Sequence, residues 1–564
     1  MLTRIRNSNT LSRLLIALGI NMGVLFMFYL MFHASEKTDD LIMKFILSGS
    51  MSGKVDEHIL YSNYALGLVL SVFQKLIPWI PWYEVFQYFV IFLSLTAFTY
   101  LMFKPKKALF NNLIVIAVIL FFGYECYVKL TFTKSAGLAM GVGLLILLHG
   151  FRNRKLNLRA IILGSVIMLF GVLLRGKMFN AIFPLFFGIP LIELFYRWKN
   201  KTVRKKKLIQ LGIMAGVFIV IFIIKLGSNV LFSMDDEWAH YRKYNNAKVE
   251  LQDYGWPDYY EHESEFTALG ISRNDYKMWT NRDYGDPDRL TIEVWENVAK
   301  LKEPVTLGTY IHGIRRFFQY YPLGFMDIKV MPLVLVLIFL LLISDEKTIK
   351  KVVPLAYMTC MVMGEYFYLF INGRYNSHHV DTAIFACVVM YLCYFLYDIR
   401  VKRYQLMICN AVILVLLFNI IKTDKVYLTS ETYTGKDYLI TEDEANAVVK
   451  ELENDKDSLY IMCNDEYYGL YRAFGVFEVP KKGTLDNIFC LSAYMYPYST
   501  AALEKRGISN IFNNICDDNV YFVTSSGDGK LKVITKYVQE HYYPGADYKE
   551  VRKLNGATVY KIYK

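Results

Sequence analysis

The sequence predicts a mainly α-helical, polytopic membrane helix bundle of about eleven spans, with a large outer loop and a small extracytoplasmic α/β domain at its C-terminal end. Three observations predict it. Of 564 residues, 54% are hydrophobic and 16% aromatic, and the mean hydropathy is +0.27, too apolar for a single soluble core. The apolar residues arrive in blocks of about twenty, the length that crosses a bilayer's hydrocarbon layer. The basic residues behind a net charge of +12 cluster in short loops between those blocks, which is the pattern of cytoplasmic anchoring and not of a nucleic-acid face.

The first block, 11–32, lacks a small-residue cleavage site and reads as an uncleaved span. Arg4, Arg6 and Arg13 on its flank place the N-terminus inside. Further spans are expected at 83–103, 108–126, 134–150, 159–175, 178–197, 208–226, 327–344, 352–371, 380–398 and 405–422. Threaded alternately, they put the basic loops 104–107, 151–159, 197–207, 345–351 and 399–403 all in the cytoplasm. The apolar stretch 60–79 is left out of the count, because including it would turn every later basic loop outward. Its polar residues Asn63, Gly67, Ser71 and Gln74 or Lys75 recur at helical spacing, so it is expected to lie in the outer interface. Pro78 and Pro81 close it, with Trp79 and Trp82 at headgroup depth.

Two domains follow: a transmembrane module, 1–422, with outer loops 33–82 and 227–326, and an extracytoplasmic α/β domain, 423–564. In the latter, Thr441 and Glu444 form a capping box, "SLYIMC" and "NVYFVT" read as strands, and Asn555-Gly556 turns a hairpin. The eight cysteines have no metal-ligand spacing. A disulfide among Cys463, Cys490 and Cys516 is left open.

The first outer loop holds the candidate chemistry. A single acid in a wet loop is ordinary, but Asp39-Asp40 stands within about two turns of a span and ahead of an interfacial helix. A carboxylate held there can take a proton from an acceptor hydroxyl beside a lipid-linked phosphate. Adjacent helical residues point about 100° apart, so one can face the reacting centre while the other orients a substrate or metal. Asp56, Glu57 and His58 could bind a metal, but positioning of the acceptor is the favoured reading.

An inside N-terminus, an acidic pair after the first span, a long first outer loop, about eleven spans and an external C-terminal domain resemble the C-type glycosyltransferase superfamily, GT-C. The "TDD…SG…SGKVDEH…IPWIPWY" and "KYNNAKVELQDYG" stretches are similar to multi-spanning bacterial proteins associated with cell-surface polysaccharides. The topology likeness covers most of the chain and the motif likeness only short stretches. It implies transfer of a sugar, with inversion, from a polyprenyl phosphate to an extracytoplasmic glycan, lipid or protein. The first acid of the pair is then the base, Asp39, with Asp40 beside it. Familiar members often read Asp-Glu, so the Asp-Asp here leaves the division of labour open.

The leaving lipid phosphate needs cationic donors at the outer interface. Arg175 and Lys177, at the outer end of the fifth span, and Arg374, in a short late outer loop, are the candidates; the plain alternative for the first two is headgroup anchoring. Arg374 is followed by His378, His379 and Asp381. No cofactor is called for, and a divalent metal at these histidines is left open. Lys129 and Lys134 are expected as headgroup anchors. Rival readings are a glycolipid transporter or flippase, which would place its ionisable groups at the bilayer midplane, and a polysaccharide polymerase or ligase working through Arg374, His378 and His379.

Overall fold

The computed structural model describes residues 2–36, 38–103, 109–152, 156–196, 198–304, 306–324, 330–371, 378–397, 402, 404–415, 418 and 441–564, without 494–495. The chain opens with α1 (Leu2–Met31), strand β1 (Ser35–Glu36), α2 (Thr38–Ser48), α3 (Tyr64–Leu76) and α4 (Trp82–Met102). Helix α5 (Leu109–Gly123) runs into a π turn, Tyr124–Val128, and strand β2 (Lys129–Leu130). Then come α6 (Phe132–Gly150), α7 (Leu158–Leu174), α8 (Gly176–Tyr196) and α9 (Lys201–Phe232). The large loop forms α10 (Asp236–Gln252), α11 (Glu263–Ala268), α12 (Arg273–Thr280) and α13 (Ile292–Lys300). After α14 (Leu307–Gly324), the late helices are α15 (Met331–Leu342), α16 (Thr348–Ile371) and α17 (His378–Leu396), with α18 over Tyr404–Val415.

Seven helices among the described residues are long and apolar enough to cross a membrane: Thr10–Met31 of α1, then α4, α6, α8, α9, α16 and α17. The expected count of eleven is not reached. The spans read at 108–126, 159–175, 327–344 and 405–422 fall on the shorter apolar helices Leu113–Val128, Leu158–Leu174, Met331–Leu342 and Tyr404–Val415. Length is the reason, since a 17-residue helix such as α7 covers only about 25 Å. Residues 327–329 and 416–422 except 418 lie outside the described residues.

Helix α6 is the hub, with 94% of its apolar window buried. Small residues let its neighbours approach: a Cβ at Gly137 would lie 2.4 Å from the Cβ of Ala383 on α17, and one at Gly143 would lie 2.6 Å from the Gly164 carbonyl oxygen on α7. At the periphery the burial falls to 17% in α1, 22% in α9 and 17% in α16. Their outer faces carry Tyr29, Leu30, Ile219, Val220 and Ile223, all exposed, an apolar belt that suits lipid. Helix α3 completes the belt. Its polar stripe turns inward, burying Gly67, Ser71 and Gln74, while Leu68, Val69, Val72, Phe73 and Leu76 face out.

The tail folds as α19 (Glu442–Glu453), β3 (Leu459–Met462), α20 (Asn464–Gly469), β4 (Ile488–Cys490), α21 (Pro497–Glu504), α22 (Ile511–Asn514), β5 (Val520–Thr524), α23 (Gly529–His541), β6 (Asp547–Leu554) and β7 (Ala557–Tyr563). The sheet order is β4-β3-β5-β7-β6; β4, β3 and β5 run parallel and β7 and β6 antiparallel. The capping box forms as expected, and Gly556 takes a φ of 92° at the hairpin turn. Alternation along β3 sets the two faces. Leu459 and Ile461 pack with Tyr244, Trp279 and Trp295 of the large loop. Tyr460 and Met462 pack with Val448 of α19 and with Ile42, Phe45 and Ile46 of α2. The large loop and the tail therefore share one core, and α2 plugs into a second. The disulfide left open does not form: all eight cysteines are free, and Cys463 and Cys490 belong to opposite faces of the sheet.

Candidate functional site

Strand β1 pairs in parallel with β2, Ser35 against Lys129 and Glu36 against Leu130. This short pairing brings the first turn of α2 beside the start of α6. Asp40 is fully buried. Its Oδ1 accepts from Gln87 Nε2 at 2.9 Å and from the Phe132 backbone N–H at 2.9 Å, so it satisfies one of the open donors at the N-terminus of α6. Gln87 in turn receives the Ser135 hydroxyl at 3.3 Å. Asp39, one step round the helix, is only half-buried.

Phe132 is where separate candidates meet. The Arg175 guanidinium lies 4.7 Å over its ring and donates to the neighbouring Thr133 hydroxyl at 2.6 Å. Tyr61 stacks against the same ring at 6.3 Å. Burial, followed by Tyr496 and Asp39, holds the Tyr61 phenol well above its ordinary pKa, so it stays a protonated donor at neutral pH. Lys177 is exposed two residues beyond Arg175.

The next residue of α6, Lys134, ties in the late loop. Its Nζ lies 2.8 Å from Glu125 Oε2 and also donates to the Glu125 and Lys129 carbonyls. His378 Nε2 lies 2.9 Å from the same carboxylate oxygen. Lys134 and Glu125 are both buried. Lys134 is thus no headgroup anchor; a buried carboxylate holds it because an unpaired charge there would be costly. Lys129 is half-buried, 5.6 Å over the Tyr124 ring. His379 is half-buried, and Asp381 accepts from Tyr366 at 2.7 Å. Arg374 lies outside the described residues.

Asp56 and His58 stand apart from this centre. His58 Nδ1 lies 2.6 Å from Asp56 Oδ1, Trp238 Nε1 donates to Asp56 Oδ2 at 3.2 Å, and the His58 ring stacks on Trp238 at 4.7 Å. They clamp α10 to the first loop. Glu57 sits 4.0 Å from Lys75. A second clamp is Lys44, buried, which donates to the carbonyls of Gly475 at 3.0 Å and Val476 at 3.3 Å and lies 3.9 Å from the buried Glu84. Between the clamp and the end of α1 opens a cleft of about 520 Å³ lined by Phe28, Phe32, His33, Tyr88, Tyr127 and Phe477.

Among the described residues, Asp275, Glu540 and His541 group closely enough to share an ion. They lie where the large loop meets the tail and are already paired: His541 Nε2 is 2.7 Å from Asp275 Oδ1, and Ser272 donates to Glu540 at 2.8 Å.

Sequence reasoning missed Gln87, Glu125 and Tyr61 and misread Lys134. The signal for the charged ones was present, since an ionisable group inside an apolar run is a functional candidate by default. No protein-family model, curated protein or solved structure matches the chain.

Proposed function

We propose that the protein is a membrane glycosyltransferase of the GT-C kind, which moves a sugar from a polyprenyl phosphate to a hydroxyl of an extracytoplasmic acceptor. One observation carries this reading: Asp40, the neighbour of Asp39, and Arg175, remote in sequence, converge on Phe132 and Thr133 at the start of α6. In this reading the Asp39 carboxylate takes the proton of the acceptor hydroxyl. The freed oxygen bonds to the anomeric carbon from the face opposite the phosphate, and the anomeric carbon–oxygen bond to phosphate breaks with inversion. The electron pair leaves on the lipid phosphate, whose charge Arg175 and Lys177 offset. The hydrogen bonds to Asp40 fix the first turn of α2, and with it Asp39.

Two further features support the reading. The aromatic cleft at the end of α1 offers room for an apolar lipid chain. The candidate groups Asp40, Arg175, Glu125 and Lys134 gather around the start of α6, whereas a transporter would hold such groups at mid-depth. The polymerase or ligase reading is the second choice, because His378 reaches the same α6 start through Glu125.

The donor class is testable with purified protein in proteoliposomes. Labelled polyprenyl-phosphate sugars should be consumed, with label passing to an added glycan or lipid fraction. Consumption of nucleotide sugars alone would remove the proposal.

A further inference from the structure

Helix α14 stands at the end of the large loop, outside every expected span, yet one of its faces is unsuited to water. Leu307, Tyr310, Ile311, Ile314 and Phe318 recur at spacings of three and four and are all exposed. On a helix they make one apolar stripe about 100° wide. Beside the stripe stand His312, Arg315, Arg316 and Gln319, exposed as well. The 18 residues of α14 include no acid, and among the described residues neither arginine forms an ion pair.

Packing fixes the depth of this face. A Cβ at Gly313 would lie 3.5 Å from the Ile371 side chain at the end of α16. The buried Phe317 ring lies 5.9 Å from Phe367 and 6.2 Å from Phe370. One turn forward along α14 is therefore one turn back along α16, so α14 enters beside that spanning helix from its Ile371 end. At 24 residues, α16 is about 36 Å long, against about 30 Å of hydrocarbon. Its last turn thus reaches the boundary between chains and headgroups. Arg315 and Arg316, between Gly313 and Phe317, stand at that level, where long cationic side chains extend toward the headgroups.

Two occupants compete for such a face. A second copy of it would set arginines against arginines, with no acid on α14 to answer them. A lipid satisfies both halves, because its chains cover the stripe while its phosphate accepts from the guanidiniums. The sign of the charge selects further. A zwitterionic headgroup brings an ammonium that α14 has no carboxylate to receive, whereas an anionic one brings none.

We propose that α14 is an interfacial helix that selects anionic phospholipid, with the acyl chains along the Leu307–Phe318 stripe and the headgroup phosphate held by Arg315 and Arg316. The helix then anchors the large loop, and the tail that shares its core, to the membrane surface. This assignment is independent of the sugar-transfer chemistry.

The test is photo-crosslinking of the full chain in nanodiscs of equal parts phosphatidylglycerol and phosphatidylcholine, with adducts read by mass spectrometry. A benzophenone amino acid in place of Ile311 should give lipid adducts with phosphatidylglycerol in excess by about tenfold or more. The same probe in place of Leu335, exposed on α15, which carries no charged residue, should give adducts in the bilayer's own ratio. Each arginine lost should cut the Ile311 excess about fivefold, so Arg315→Gln with Arg316→Gln brings it to the Leu335 ratio. Arg315→Lys with Arg316→Lys keeps the charge and should keep most of the excess. An unchanged melting temperature verifies that the glutamine variant is folded. Three outcomes would each overturn the proposal: no lipid adduct at Ile311, adducts there in the bilayer's own ratio, or an excess that survives the double glutamine variant.

Discussion

At the scale of single residues, the two acids of the pair are not equivalent. Asp40 is closed in and committed to Gln87 and the Phe132 N–H, whereas Asp39 is only half-buried. The pair was legible in the sequence because its members are adjacent and follow an apolar run. Its partners were not, since Gln87 and Phe132 lie 47 and 92 residues away from Asp40 and no local pattern joins them. Arg175 was legible as a cation at a span end, but its seat over Phe132 was not. That seat makes a prediction. Arg175→Ala should slow donor turnover more than Arg175→Lys, because lysine keeps the charge but loses the planar fork and the stacking. Steady-state rates with a polyprenyl-phosphate sugar check the order, and equal rates in wild type and Arg175→Ala would take this residue out of the site.

At the scale of elements, legibility followed locality. The capping box at Thr441, the tail strands and the Asn555-Gly556 hairpin are written in neighbouring residues and appear as expected. The β1–β2 pairing and the π turn are not, because each owes its form to long-range contacts. The periodicity of α3 was read correctly as a stripe. The stripe faces the protein, since polar groups find partners there and the apolar side is left for lipid. Close approach around α6 is a property of the element pair. Gly137→Ala puts a methyl 2.4 Å from Ala383 Cβ and should cost about 1–3 kcal/mol, read as a lower melting temperature. Gly216→Ala on α9, with nothing within 4 Å, should stay within about 1 kcal/mol of wild type. Equal effects would contradict the packing described for α6 and α17.

At the scale of the whole molecule, the sequence suggested a tail domain beside a bundle. The structure joins the tail to the large loop through one core and to α2 through another. This was illegible because the loop's aromatic residues give no clue to which sheet they cover. One consequence is a pH response of the joined loop and tail. Asp283 of the loop is buried against the tail, where its Oδ1 accepts from the Asn464 N–H at 3.2 Å. Burial, opposed by Lys530, pushes its pKa up to about 7. A folded-state pKa above the unfolded one means that the fold favours the proton. The associated stability is therefore present in acid and lost as pH rises from about 4 to about 7. The melting temperature of the full chain should fall over that window, and Asp283→Asn should flatten the slope. A slope unchanged in Asp283→Asn would assign the response to other groups.

The central proposal is chemistry at the acid pair, which heads α2, the helix that ties the bundle to the tail. The most direct measurement is sugar transfer from a polyprenyl-phosphate donor in proteoliposomes by wild type, Asp39→Asn, Asp40→Asn and the double variant, with donor binding measured alongside. Asparagine keeps the shape of the side chain but cannot take the proton, so Asp39→Asn should lose roughly 10²–10⁴-fold in rate while still binding donor. Asp40→Asn should lose rate together with stability, because its carboxylate holds α6 to α4. Wild-type transfer by Asp39→Asn and by the double variant would contradict the account and leave the acids as ordinary residues of the loop.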